Sequence, residues 1–178
     1  MLAGILLAVG LALVVVIGRI SRPHDAVLGS VEGVDGYQDI EQYANCETVP
    51  GLIAYRYDAP LFFANADHFV REVQELIDAA QPPVEWLLID AEAIVDIDVT
   101  ATEALSTLQF ELERRGIVLV IARANHPLQK MLGRAGLTER IGAEHFYPTV
   151  RTGVQAFLER KAQEQGSSSG NGNSATHF

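Results

Sequence analysis

The first eighteen residues, MLAGILLAVGLALVVVIG, carry no charged side chain, and Arg19 and Arg22 follow directly. At about 1.5 Å of rise per residue a helix of this length covers roughly 27 Å, close to the roughly 30 Å hydrocarbon layer of a bilayer. The run predicts a transmembrane helix over residues 1–20. No Lys or Arg precedes it and two Arg follow, so the positive-inside bias places everything after Arg19 in the cytoplasm. A cleaved signal peptide would need a basic n-region and a small-residue cleavage site; only Met1 precedes the run and GRISRPH follows it. So abrupt an apolar start is expected of the last span of a longer membrane protein.

Between the span and the C-terminal tail lie roughly 145 residues, enough for one domain with its own core. Cys46 is the single cysteine, so no intrachain disulfide can form, in keeping with a reducing compartment. Thirteen basic against 23 acidic residues give a formal charge of -10. Such a surface repels nucleic acid and anionic lipid, so the domain is expected to hang below the membrane without lying on it. The stretch 165–178, QGSSSGNGNSATHF, is mostly Gly, Ser and Asn; it cannot repay the entropy of ordering and reads as a disordered tail. His177 stands alone there and suggests no metal site.

Hydrophobic periodicity organises the middle. AVLGSVEGVDGYQDIEQY is broken by Gly29, Gly33 and Gly36 and predicts extended structure with turns. Pro50-Gly51 marks a turn before LIAYRY, a strand by composition, and a hairpin around that turn is expected. Asn65 reads as an N-cap with Asp67 in the first turn, ahead of Phe69, Val70, Val73, Leu76, Ile77 and Ala80 at helical spacing. Pro82-Pro83 stops that helix. VEWLLI and IVLVIA are continuous apolar runs suited to central strands. Between them Asp98 can cap a helix with Ala101, Ala104, Leu105, Leu108 and Leu112 inward and Gly116 as its left-handed end. Pro127 opens another helix, a short strand is expected near Phe146, and a last helix runs from about Thr149 to Gln163. The alternation argues for an α/β fold with parallel strands and packed helices.

The common catalytic signatures are missing: no GxxxxGK[ST], no GxGxxG after a strand, no HExxH, no CxxC and no GxSxG. His24, His68, His126, His145 and His177 are scattered and read as solvated or capping residues. The one dense acidic region is Asp90, Glu92, Asp96 and Asp98, where a buried strand gives way to a helix. Ligands often sit at such places in α/β sheets. The cap explains Asp98, however, and no nearby lysine or arginine is evident to stabilise a transferred phosphoryl group. The acids read as structural, with no catalytic residue, cofactor or metal assigned.

DAEAIVDIDVTATEALSTLQFELERRGIVLVIARANHPLQKMLGRAGL resembles the STAS domain shared by SulP-type anion transporters and bacterial anti-sigma factor antagonists. LAGILLAVGLALVVVIGRISRPHDAVLG looks like the last span and linker of a SulP transporter, and PLFFANADHF looks like the opening of the first STAS helix in that branch. Three separated phrases agree in order and spacing, from about Leu2 to about Leu158. The resemblance implies a mixed β-sheet with helices packed against it, preceded by one transmembrane helix. It divides the chain into a span (1–20), a linker with the first extended segment (21–36), a cytoplasmic STAS domain (37–164) and the tail.

The function it implies is regulation and assembly within a sulfate or bicarbonate carrier whose permeation path lies outside this chain. The implied partners are the membrane through residues 1–20 and the transporter's own membrane domain; homodimerisation and weak nucleotide binding stay open. Antagonist STAS domains carry Asp-Ser-Ser/Thr-Gly at the start of their second long helix. Here Asp98 falls on the Asp, Val99 on the phosphoacceptor, Thr100 on the second hydroxyl and Ala101 on the Gly. Val99 cannot be phosphorylated, which counts against a membrane-anchored antagonist-like switch. The loop Asp96, Asp98, Val99, Thr100, Ala101 and Thr102 is the candidate regulatory surface.

Overall fold

The computed structural model describes residues 2–20, 23–43 and 45–170. Helix α1 (Leu2–Ile20) is followed by β1 (Asp25–Ser30), β2 (Tyr37–Asp39), β3 (Leu52–Tyr57), α2 (Ala66–Ala79), β4 (Trp86–Asp90) and α3 (Val99–Arg114). Then come β5 (Val118–Ala122), α4 (His126–Arg134), α5 (Leu137–Ile141), a 3-10 turn, β6 (Phe146–Tyr147) and α6 (Val150–Gly170). Side chains in α1 are described for residues 4–16 and 18, and those of Leu6, Leu7, Leu11 and Val14 are exposed. Among the described residues no helix is long and apolar enough to cross a membrane. The Arg19 side chain, Arg22 and residues 171–178 lie outside the described residues.

The strands form one mixed sheet in the order β2-β1-β3-β4-β5-β6. From β3 to β6 the pairs are parallel, as short strand–helix–strand connections require, while β1 is antiparallel to both β2 and β3. The region 21–36 therefore contributes β1 to the interior of the sheet, between β2 and β3. This corrects the hairpin expected at Pro50-Gly51. Gly51 does turn there with φ 84, but the chain before it makes only a bridge of Glu47 to Ser30, because β1 already occupies the edge of β3.

Alternation along the strands builds two cores. Ile53, Tyr55, Leu87, Ile89, Leu119 and Ile121 face α2 to α5; Leu52, Ala54, Trp86, Leu88, Val120 and Ala122 face Val150, Val154 and Phe157 of α6. That double covering is why VEWLLI and IVLVIA read as unbroken apolar runs. The α2 side chains Phe69, Val73 and Ile77 are buried as their spacing predicts, as are Ala101, Leu105, Leu108 and Leu112 of α3. Gly116 and Gly136 take left-handed conformations, φ 73 and 70, where their helices end. α6 extends to Gly170, beyond the end near Gln163 read from the sequence.

Candidate functional site

The acidic residues singled out from the sequence gather at the C-terminal ends of β3, β4 and β5, where three loops lie side by side. The chain at Leu61 runs parallel to the chain at Ile97: Leu61 N–H donates to the Asp96 carbonyl at 3.1 Å and Asp98 N–H to the Leu61 carbonyl at 3.2 Å. Leu61 and Ile97 are buried beneath this bridge.

Asp98 then joins the two loops through its side chain. Oδ1 accepts the Ala101 N–H at 2.8 Å, the cap the sequence predicts for α3. Oδ2 accepts the Phe63 N–H at 2.8 Å, a contact across 35 positions that helical spacing could not reveal. The Asp98 carbonyl accepts the Thr102 hydroxyl at 2.8 Å. Asp96 is exposed, and its Oδ1 accepts the Ile97 N–H at 2.9 Å. Ala101 is buried, Thr102 half-buried, Thr100 exposed, and Val99 is 75% exposed. All six candidate residues thus share one loop and first turn.

Asn65 departs from its expected role. Its side chain caps nothing in α2. Fully buried, it turns back to accept the Phe62 N–H through Oδ1 at 2.9 Å and to donate through Nδ2 to the Pro60 carbonyl at 2.9 Å. It pins the Pro60–Phe63 turn by pairing the Phe62 N–H and the Pro60 carbonyl, and the turn in turn satisfies the buried Asn65 amide.

The expectation that the acids lack a cationic partner is also corrected. Arg123, just past β5, forks onto Asp90 with Nε at 2.8 Å from Oδ1 and its terminal amino groups on Asp90 Oδ2 and Glu92 Oε2. Asp90 is fully buried, so the bidentate pair neutralises a carboxylate that could not stand alone. The hydrogen bonds to Asp90 raise the Arg123 pKa above its ordinary value, against the opposing effect of burial. Arg123 adopts φ 58, a left-handed conformation that L-residues avoid, while its N–H donates to the Tyr147 carbonyl at 2.9 Å. A basic residue after an apolar strand was the available signal, but its reach back to Asp90 depends on parallel pairing of β4 and β5.

Among the described residues no group of three or more His, Cys, Asp or Glu is placed to hold a metal ion. His24 lies between Asp39 and Asp58, His68 beside Glu72, and the His145 ring against the Ile141 carbonyl. Beside the exposed Asp96 and Thr100 the loops present apolar side chains outward: Phe63 is 71% and Val95 53% exposed, and Phe62 packs edge-on against Phe63 at 5.8 Å. Fixed backbone under exposed apolar side chains is suited to contact with another surface.

Comparison with known proteins agrees with this architecture. The sequence profile described as the STAS domain matches residues 43–153. A probable sulfate transporter of Mycobacterium tuberculosis is 45% identical over 157 residues, which cover 88% of this chain and 28% of that protein. The chain thus spans under a third of the length of that relative. The murine solute carrier 26 family member A9 anion transporter in its inward-facing state aligns with a TM-score of 0.74 at 21% identity, over 86% of this chain and 25% of that one. The STAS domain of a SulP transporter from Vibrio cholerae aligns at 0.56 with 23% identity, over 70% of this chain and 94% of that one. At these identities the structural likenesses speak to the fold.

Proposed function

We propose, from the fact that this chain belongs to the STAS-domain family, that it is the cytoplasmic regulatory and assembly portion of an inorganic anion carrier, with sulfate or bicarbonate as cargo. The observation that carries this reading is the 45% identity to a probable sulfate transporter over 88% of the chain. Residues 1–20 are read as the last membrane span on the uncharged run 1–18 of the sequence, not on the described part of α1, which by itself is not long and apolar enough to cross a membrane. Arg19 and Arg22 then hold the following domain on the cytoplasmic side.

Regulation is assigned to the loop Asp96–Thr102. Val99 stands where antagonist STAS domains carry their phosphoacceptor, so a phosphorylation switch at that position is excluded by chemistry, and the loop is left as a contact surface. Thr100→Glu adds a charge beside Asp96, Asp98 and Glu103, and repulsion there should weaken a contact made through this loop. The experiment is sulfate and bicarbonate uptake into vesicles reconstituted with the chain joined to its membrane domain. Thr100→Glu should change uptake or oligomeric state while circular dichroism of the protein stays the same. Unchanged uptake with an unchanged oligomer removes the loop from regulation.

A further inference from the structure

The direction of β1 sets the end of the sheet at which the chain enters the domain. Because β1 is antiparallel to β3, with Asp25 opposite Tyr57, the chain arriving from α1 enters the sheet at the C-terminal end of β3. The Asp58 N–H donates to the His24 carbonyl at 3.0 Å and fastens the entry there. The loops carrying Phe63 and Val99 emerge at this same end, after β3 and β4. Given the reading above that α1 spans the bilayer, Phe63 and Val99 are presented on the membrane side of the domain.

Their surroundings select the occupant. Phe63 and Val99 lie two residues beyond the bridged pair Leu61 and Ile97, held at the same level by the Phe63 N–H on Asp98. Close to them along the chain are Asp67 in the first turn of α2, Asp96 three residues before Val99, and Glu103 one helical turn after it, all exposed. None of these three acids forms an ion pair among the described residues, and the basic groups His68 and Arg71 on α2 are engaged by Glu72 and Glu75. An apolar centre flanked by carboxylates that carry no ion-pair partner repels anionic lipid headgroups. It is complementary to the cytoplasmic loops of membrane proteins, which are enriched in Lys and Arg.

We infer that the Phe63–Val99 patch is the seat of a Lys/Arg-bearing cytoplasmic loop of the carrier's membrane domain, which places an apolar side chain on Phe63 and Val99 and its cations on Asp67, Asp96 and Glu103. This rests on α1 being a span and names the partner of the regulatory loop. The seat is preorganised, since Asn65 and Asp98 already bond the backbone beneath it, so little ordering cost accompanies binding.

The test uses the full chain in phosphatidylcholine nanodiscs and an eight-residue peptide with one Phe and one Leu flanked by Lys and Arg. Amide resonances of Phe63, Val95 and Val99 should shift on titration, and Phe63→Ser and Val99→Ser should each weaken binding at least fivefold with melting unchanged. Asp96→Asn combined with Glu103→Gln should weaken it and flatten its salt dependence. Equal binding of the charge-reversed Asp/Glu peptide, or shifts centred elsewhere, overturns the proposal. Shifts of the same amides by phosphatidylglycerol nanodiscs without peptide overturn it in favour of lipid contact. A topology reporter showing that α1 does not span removes the membrane loop as occupant whatever the peptide does. Absent peptide binding with α1 in the bilayer removes the patch alone.

Discussion

The Asp98 carboxylate holds the Phe63 backbone N–H at 2.8 Å with one oxygen and the Ala101 N–H at 2.8 Å with the other. One side chain therefore starts α3 and ties the loop after β3 to the loop after β4. Asp98→Ala should cost about 2 kcal/mol, about 1 for the lost cap and about 1 for the lost bond between loops. Asp98→Asn keeps one acceptor and should cost about half of that. Urea unfolding of the variants checks this; a loss below about 0.5 kcal/mol for Asp98→Ala would mean that the two bonds are replaced by water without penalty.

Arg123→Ala strands the buried Asp90 carboxylate and should destabilise the protein by about 3 kcal/mol or more. Asp90→Asn in the same background should restore part of it, because the uncompensated charge is gone. A double-mutant cycle on urea midpoints measures the coupling. Additive losses would show that the pair does not act as a unit.

Acid stability should report Asp39. The Glu41 backbone N–H on its carboxylate lowers its pKa; burial opposes this, and the Gln42 side chain and the charges of His24 and Arg56 add to the lowering. A depressed folded-state pKa gives stability that is fully present above the unfolded value, about 3.9, and is lost as pH falls through the folded value. Asp39→Asn should therefore be less stable than the native chain at pH 6, with the gap closing as the pH is lowered below about 4. A gap that stays constant from pH 6 to pH 2.5 would contradict this.

Much of the sheet and its helices was legible because burial on one or two faces writes a period into the sequence. Phe69, Val73 and Ile77 mark the inner face of α2, and the unbroken run of β4 marks a strand covered on both sides. Contacts set by tertiary pairing left no such period. The insertion of β1 beside β3, the return of Asn65 to Pro60 and Phe62, and the closure of Arg123 on Asp90 each join segments whose proximity exists only once the strand order is fixed. The candidate loop was legible as a helix start through Asp98, while the exposed Phe63 beside it was read only as part of a family phrase.

Membrane topology is measured most directly by a reporter enzyme that is active only outside the cytoplasm, fused after Phe178 of the membrane-inserted chain. With α1 spanning and Arg19 and Arg22 on the inner side, the fusion should stay with the membrane fraction and give no reporter activity. Strong activity, or release of the fusion into the soluble fraction, would contradict a cytoplasmic STAS domain tethered by its own span.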